Sequence, residues 1–227
     1  MQPYFFPYIG YFQLMNAVDK YVIYDDVNFI KSGWIYRNRI LVNGEPKYFN
    51  LPMSGASSNK LINEVEVNND EKLKQKNIRI IQDNYKDAPY FSDVYPMLEK
   101  IIFNNERNIA KYIMSSFEIL LKYLNITTEL VLSSSIEKNN SLKGQEKVLE
   151  ICRILGATEY YNAIGGQELY DKENFKNQNI ELWFLKTNEI CYKQFENEFQ
   201  SNLSIIDVMM FNSKTDIQKM LQEYELV

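Results

Sequence analysis

The sequence predicts an α/β chain: a Rossmann-like, mainly parallel sheet with an N-terminal hairpin extension and a helical insertion or layer. Three observations carry this. Short apolar β-type runs alternate with amphipathic helical stretches. In the C-terminal half the order strand (129–132), helix (145–155), strand (159–162) and strand (180–185) calls for parallel pairing through crossovers. Carboxylates and glycines follow the strand ends, where open α/β sheets bind ligands. The 227 residues suit one composite domain. Its expected parts are an N-terminal α/β half (1–60) with an aromatic loop and hairpin, a helical region (61–127) and a C-terminal α/β half (128–227).

Composition narrows the function. A hydrophobic share of 45% supports a core, and 14% aromatic residues is high. The net charge of −5 argues against a nucleic-acid partner held on a basic surface. No window offers the roughly 18 to 20 apolar residues of a membrane span, and no signal-peptide pattern opens the sequence. Cys152 and Cys191 lack CxxC spacing and read as reduced cytoplasmic thiols. There is no histidine, which removes Ser-His-Asp and Cys-His catalysis and histidine-bearing zinc sites. Acid–base chemistry falls to Asp, Glu, Lys, Tyr, Cys or the substrate. No metal site is expected.

In chain order, residues 2–9 are aromatic and interrupted by Pro3 and Pro7, so they suit an extended loop after a strand end. Gly10 then enters a helix whose apolar face is Phe12, Leu14, Met15 and Val18, and such a loop can turn backbone N–H groups to an anion. Residues 21–24 form a strand ending in Asp25-Asp26, candidates for a base, a metal ligand or a sugar acceptor; a turn cap is the plainer role. Residues 28–51 read as extended segments with a hairpin turn at Asn43-Gly44. Lys31, Arg37 and Arg39 gather cations here, with Arg37 and Arg39 on the face opposite Asn38, and Trp34 adds a ring. Solvated charges on an exposed ribbon are the alternative. Residues around Gly55 suit a mobile connection.

The middle is helical, at about 71–85, 92–103 and 108–123, after a short strand at 64–67. Ser133 to Ser135 follow a buried-type strand, and Gly156 is a natural C′ residue for the next helix. Gly165-Gly166 end the strand at 159–162, on the same sheet edge as Asp25-Asp26, and so become the second wall of a site. Ser204 and Asp207 have capping-box spacing. A last helix, about 216–224, looks peripheral.

Several long motifs occur in a fixed order: QPYFFPYIGYF, then YDD, then GW-x-x-RNRI, GQEKVLEICRILGATEYYNAIGGQELY and LSIIDVMMFN. Together they span nearly the whole chain and resemble the signature of the WbqC-like family. Family members usually carry a short apolar strand before the Gln-Pro, which leaves the first strand short here. Tyr36 stands where the family form GW-x-N-R-N has Asn. The resemblance implies bacterial surface-polysaccharide or O-antigen biosynthesis, where common substrates are nucleotide-linked amino sugars decorated by acyl, formyl or aminoacyl groups.

On that basis the leading expectation is an acyl or aminoacyl transferase acting on a nucleotide-linked amino sugar. Asp25 and Asp26 are the expected catalytic residues. Substrate would meet Gln2, Tyr4, Pro7, Gly10, Lys31, Trp34, Arg37, Asn38, Arg39, Gly165, Gly166 and Tyr170. The cofactor is an open choice between an acyl or aminoacyl donor and ATP. An ATP-dependent amide ligase is the second expectation. It follows a likeness of P-x-x-G-Y-F to the ATP loop of pantothenate-synthetase-like nucleotidyltransferases, although neither a His-x-Gly-His nor a lysine–serine loop is present. A non-catalytic binding or scaffold subunit is the third. A homo-oligomer fits any of them.

Overall fold

The computed structural model describes residues 1–196 and 198–227. An extended N-terminal segment leads into α1 (Ile9–Asn16) and β1 (Lys20–Ile23). Then come the hairpin β2 (Arg37–Val42) and β3 (Glu45–Asn50), and the short strands β4 (Met53–Ser54) and β5 (Glu66–Val67). Three helices follow: α2 (Glu71–Tyr85), α3 (Phe91–Ile102) and α4 (Ile109–Tyr123). The C-terminal half runs β6 (Glu129–Leu132), α5 (Gly144–Ile154), β7 (Glu159–Ala163), α6 (Lys172–Lys176), β8 (Glu181–Thr187), α7 (Ile205–Phe211), α8 (Lys214–Met220) and β9 (Tyr224–Leu226).

The fold is mixed α/β, and its described strands form four small hydrogen-bonded groups. β1 runs parallel to β6, and β7 parallel to β8, with β9 antiparallel on β8. β2 pairs with β3, and β4 with β5, both antiparallel. Met1 extends the first group: its amine donates to the Val22 carbonyl at 2.9 Å and its carbonyl accepts from Tyr24 N–H at 2.7 Å, the pattern of a parallel bridge.

Local chemistry explains most boundaries. The Asn43-Gly44 turn takes positive φ at both residues (54° and 77°), as a tight hairpin with matched twist requires. Asp70 caps α2 by accepting from Lys72 and Leu73 N–H, and Asn108 caps α4 through Lys111 N–H. Gly156 closes α5 at φ 67°. Three expectations change. The connection around Gly55 contains β4, anchored on β5. The last helix ends at Met220 and the chain returns as β9. Ser204 caps α7 through Ile206 N–H, but the Asp207 carboxylate is drawn away to Tyr85, Tyr192 and Gln194, so the reciprocal arm of the box is not made.

The aromatic N-terminal segment is core. Phe5 and Phe6 are fully buried, and the Phe5 ring stacks on Phe49 at 5.7 Å. Its carbonyls are satisfied from distant elements: Phe6 O by the Ser204 hydroxyl (2.8 Å), Pro7 O by Ile205 N–H (2.8 Å). Phe6 holds φ 42°, unusual for a bulky side chain, and these bonds fix it. The segment therefore ties α7 to the hairpin beneath β1. A smaller apolar cluster of Val148, Cys152, Phe175, Ile180, Leu182 and Phe184 holds α5 and α6 on the β7–β8 pair.

Candidate functional site

Parallel pairing of β1 with β6, Ile23 opposite Leu132, brings two chain exits side by side. One carries Tyr24, Asp25 and Asp26; the other is a 3-10 turn, Ser133–Ser135. Asp25 is buried and its carboxylate is spent on that turn. It accepts from Ser134 N–H (2.9 Å), the Ser134 hydroxyl (2.6 Å) and Asn63 Nδ2 (3.3 Å).

Asp26 points into a different environment. Its Oδ2 lies 2.8 Å from Lys138 Nζ and 2.9 Å from Lys147 Nζ. All three side chains are nearly out of water, at 10% for Asp26, 1% for Lys138 and 6% for Lys147. Lys147 also donates to the Asp26 carbonyl at 3.0 Å and sits 5.1 Å from the Tyr24 ring centre. Lys138 donates to the Ser133 and Ile136 carbonyls. Burial by itself would push the Asp26 carboxyl up. The two lysines and the nearby Ser133 hydroxyl outweigh it and hold the group below the ordinary range, so Asp26 is an anion and a weak base. Its Oδ1 has no hydrogen-bond partner, and neither has the buried Ser133 hydroxyl.

The two lysines were not among the sequence candidates. Lys147 carried a readable signal: with Val148, Ile151 and Cys152 it makes up the buried stripe of α5, and a lysine on such a stripe needs an anion inside. Lys138 sits in a polar loop, and only the folded chain shows its burial.

The second parallel pair, β7 with β8, carries the glycine-bearing strand end. Gly165 and Gly166 lie on a 3-10 turn, Ile164–Leu169, that leaves β7 at its C-terminal end. At Gly166 an added Cβ would stand 2.9 Å from Asn162 Nδ2, whereas Gly165 faces open space. Tyr170 packs on Tyr160 and Phe175, at 5.7 and 5.9 Å between ring centres. Burial first, then Asp26 and Tyr170, push the Tyr24 hydroxyl up to about 12. The Asp171 N–H donates to Gln145 Oε1 at 2.6 Å, fastening this loop to the first turn of α5, where Lys147 begins.

The other expected residues lie in a second group. The Gln2 carbonyl accepts from the Tyr11 hydroxyl, and the Tyr4 ring is 5.3 Å from that of Tyr11. Pro7 is buried under α7. Gly10 permits a close approach inside α1: an added Cβ would fall 2.4 Å from the Tyr8 ring and 2.5 Å from Thr187 Oγ1. Arg37 donates to the carbonyls of Ser32 (2.6 Å) and Gly33 (3.2 Å) and lies 4.5 Å over the Tyr48 ring. Asn38 is buried and donates to Phe5 O at 3.4 Å. Arg39 reaches the Asn202 carbonyl at 3.3 Å and leaves its Nε buried and unpartnered. Trp34 is 39% exposed beside Tyr48, and Lys31 is exposed. The structure thus joins Asp25, Asp26 and Tyr170 with two lysines and a serine turn at one edge, and gives most hairpin cations backbone partners.

A shallow cavity of about 440 Å³, bordered by Glu118, Leu121, Lys122, residues 125–128 and Leu130, opens at the opposite end of β6 and carries none of these groups. Among the described residues no helix is long and apolar enough to cross a membrane, and no three Cys, Asp or Glu side chains gather as a metal site.

Comparison with known proteins agrees with the motif pattern. An "Uncharacterized protein Rv1507c" of Mycobacterium tuberculosis (strain ATCC 25618 / H37Rv) is 26% identical over 215 residues, covering 93% of this chain and 91% of its own. No solved structure matches significantly. Residues 2–219 match the WbqC-like protein family, and the chain belongs to that family.

Proposed function

We propose that the chain is a cytoplasmic enzyme of bacterial surface-glycan biosynthesis that transfers an acyl or aminoacyl group to a nucleotide-linked amino sugar. The observation that carries this reading is the buried Lys138–Asp26–Lys147 set at the strand ends of β1 and β6. Burying two ammonium groups costs several kcal/mol per ion. A fold that needed only to seal this edge would be served as well by apolar side chains, so the set is read as a site. In this reading the β1–β6 and β7–β8 pairs are the two halves of an interrupted Rossmann-like sheet, and ligand lies across their common C-terminal edge. The proposed division of the chain at about residues 60 and 127 keeps one half on each side of the helical region.

Roles follow from the partners. Asp25 positions the serine turn. Asp26 orients the lysines and, with them, the reacting end of the substrate. Gly165 leaves room for substrate at the edge, and Tyr170 and Tyr24 line it. The hairpin group of Lys31, Trp34, Arg37 and Arg39 would take the more distant nucleotide end. In the transfer the sugar nitrogen's lone pair attacks the carbonyl carbon of an activated acyl donor. The C–N bond forms, the carrier departs with the electron pair of its broken bond, and the nitrogen proton follows it.

Calorimetric titration with dTDP- and UDP-linked amino sugars tests the proposal. Binding is expected, weakened in Lys147→Met and by a smaller factor in Arg37→Ala. No binding of any nucleotide sugar would overturn it. The serine turn followed by Lys138 favours one second reading, ATP-dependent activation of a carboxylic acid, with the lysine on the phosphates. Pyrophosphate release from ATP with a panel of carboxylic acids would support that reading, and silence across the panel removes it.

A further inference from the structure

The charged edge has unused hydrogen-bonding capacity of a particular kind. Asp26 Oδ2 takes both lysines while Oδ1, on the same carboxylate, takes nothing; the fully buried Ser133 hydroxyl beside it is also unpartnered. An acceptor that is buried and empty has lost its water with nothing in return. What answers it is a group that donates N–H or O–H and can accept from a hydroxyl in return.

Charge decides which form of that group fits. The titratable groups facing this point are Asp26 and Tyr24 from the end of β1, Lys138 from the loop after β6 and Lys147 from α5, while the Asp25 carboxylate is turned to Ser134 and Asn63. Tyr160 and Tyr170 face it from the β7 side. Tyr24 and Tyr160 are held neutral, with hydroxyls pushed up chiefly by burial. One carboxylate and two ammonium groups remain, a net positive set. A neutral amine leaves that charge unchanged. An ammonium adds a second positive charge with no counter-ion in a place poor in water.

Resting on the nucleotide-sugar reading above, we propose that Asp26 Oδ1 and Ser133 Oγ receive the substrate's amino group and that the net-positive lysine–aspartate set admits it only as the free base. The site then prepares the nucleophile by desolvation and charge repulsion instead of by a general base. This suits Asp26, which the lysines make too weak a base to take a proton from an ammonium group. An amine that is charged in solution leaves its proton to solvent on entering, and holds a lone pair toward the Ser133 hydroxyl in place of that proton.

The test is calorimetry in two buffers of different ionisation enthalpy, at about pH 6, where a sugar ammonium is still largely protonated. The probes are a UDP- or dTDP-linked amino sugar and its hydroxyl counterpart. The amino sugar is expected to release about one proton per molecule bound, and the hydroxyl sugar none. In Lys147→Met the set becomes neutral, the ammonium is tolerated, and proton release falls toward zero. Ser133→Ala keeps every charge and removes only the hydroxyl, so it provides a folded variant if Lys147→Met does not fold. It should weaken the amino sugar by roughly three- to tenfold while proton release persists. Binding of the amino sugar without proton release overturns the inference and leaves the nucleotide-sugar reading standing. Binding of neither probe overturns both.

Discussion

Asp26 and Asp207 are both carboxylates withdrawn from water, and their surroundings drive them in opposite directions. Asp207 is fully buried and accepts from three neutral donors: the Tyr85 and Tyr192 hydroxyls (both 2.8 Å) and Gln194 Nε2 (2.7 Å). Burial pushes its carboxyl up, and the three donors recover only part of that. Asp26 has cations instead and is held low. Asp207 also has no empty oxygen, because its donors cover both. It reads as a clasp, joining α2, α7 and the segment after β8, while Tyr85 passes the network on to Leu41 N–H in the hairpin. Asp26 keeps one oxygen empty at an open sheet edge. The contrast separates a carboxylate whose oxygens are both used by the fold from one that the proposed function assigns to a ligand.

Removing each carboxylate should show that difference, starting with the largest effect. Asp26→Ala leaves two buried ammonium groups without an anion and should cost about 3–5 kcal/mol in urea unfolding. Asp207→Ala leaves three buried donors without an acceptor and should cost about 2–4 kcal/mol, with no change in charge-dependent ligand binding. The acid profiles should then run in opposite senses. The folded state holds Asp26 below its ordinary pKa, so its contribution is present above that ordinary value and is lost as pH falls through the lower folded one. Asp207 is held above, so proton uptake favours the folded state as pH falls through the raised value. Stability curves of Asp26→Asn and Asp207→Asn against pH, each compared with the parent, should lose these two opposite slopes. Identical slopes would break the comparison.

Smaller effects sharpen it. Gly10→Ala should cost about 1–3 kcal/mol, since the helix-propensity gain cannot offset a methyl driven into Tyr8 and Thr187. Thermal unfolding checks this. Arg37→Ala should cost about 1 kcal/mol or less, because its bonds to the Ser32 and Gly33 carbonyls and its stacking on Tyr48 lie at a half-exposed position.

Much of the fold was legible because local signals agreed with it. Helical periodicity located α2, α3 and α4 to within a residue or so, and Asn43-Gly44 marked its hairpin. Alternation correctly set buried Asn38 between half-buried Arg37 and Arg39. The strand ends bearing Asp25-Asp26 and Gly165-Gly166 were also readable, because strand-then-loop order is local. Which charges meet there was not. Lys138 and Lys147 lie 112 and 121 residues from Asp26, and their pairing depends on the β1–β6 register. The arginines near in sequence drew attention to the hairpin, yet Arg37 spends its donors on carbonyls four and five residues away. The prolines of the aromatic N-terminal run pointed to an extended loop, and only the folded chain shows its Phe5 and Phe6 rings in the core under α7.

The claim that the lysine-bearing edge is the ligand site is tested most directly by a crystal structure with a bound UDP- or dTDP-linked amino sugar. The account predicts sugar density at the strand ends of β1 and β6, with the amine nitrogen in hydrogen-bond range of Asp26 Oδ1 and Ser133 Oγ. Density confined to the Trp34, Tyr48 and Arg37 face of the hairpin, with the Lys138–Asp26–Lys147 set unchanged and uncontacted, would contradict it.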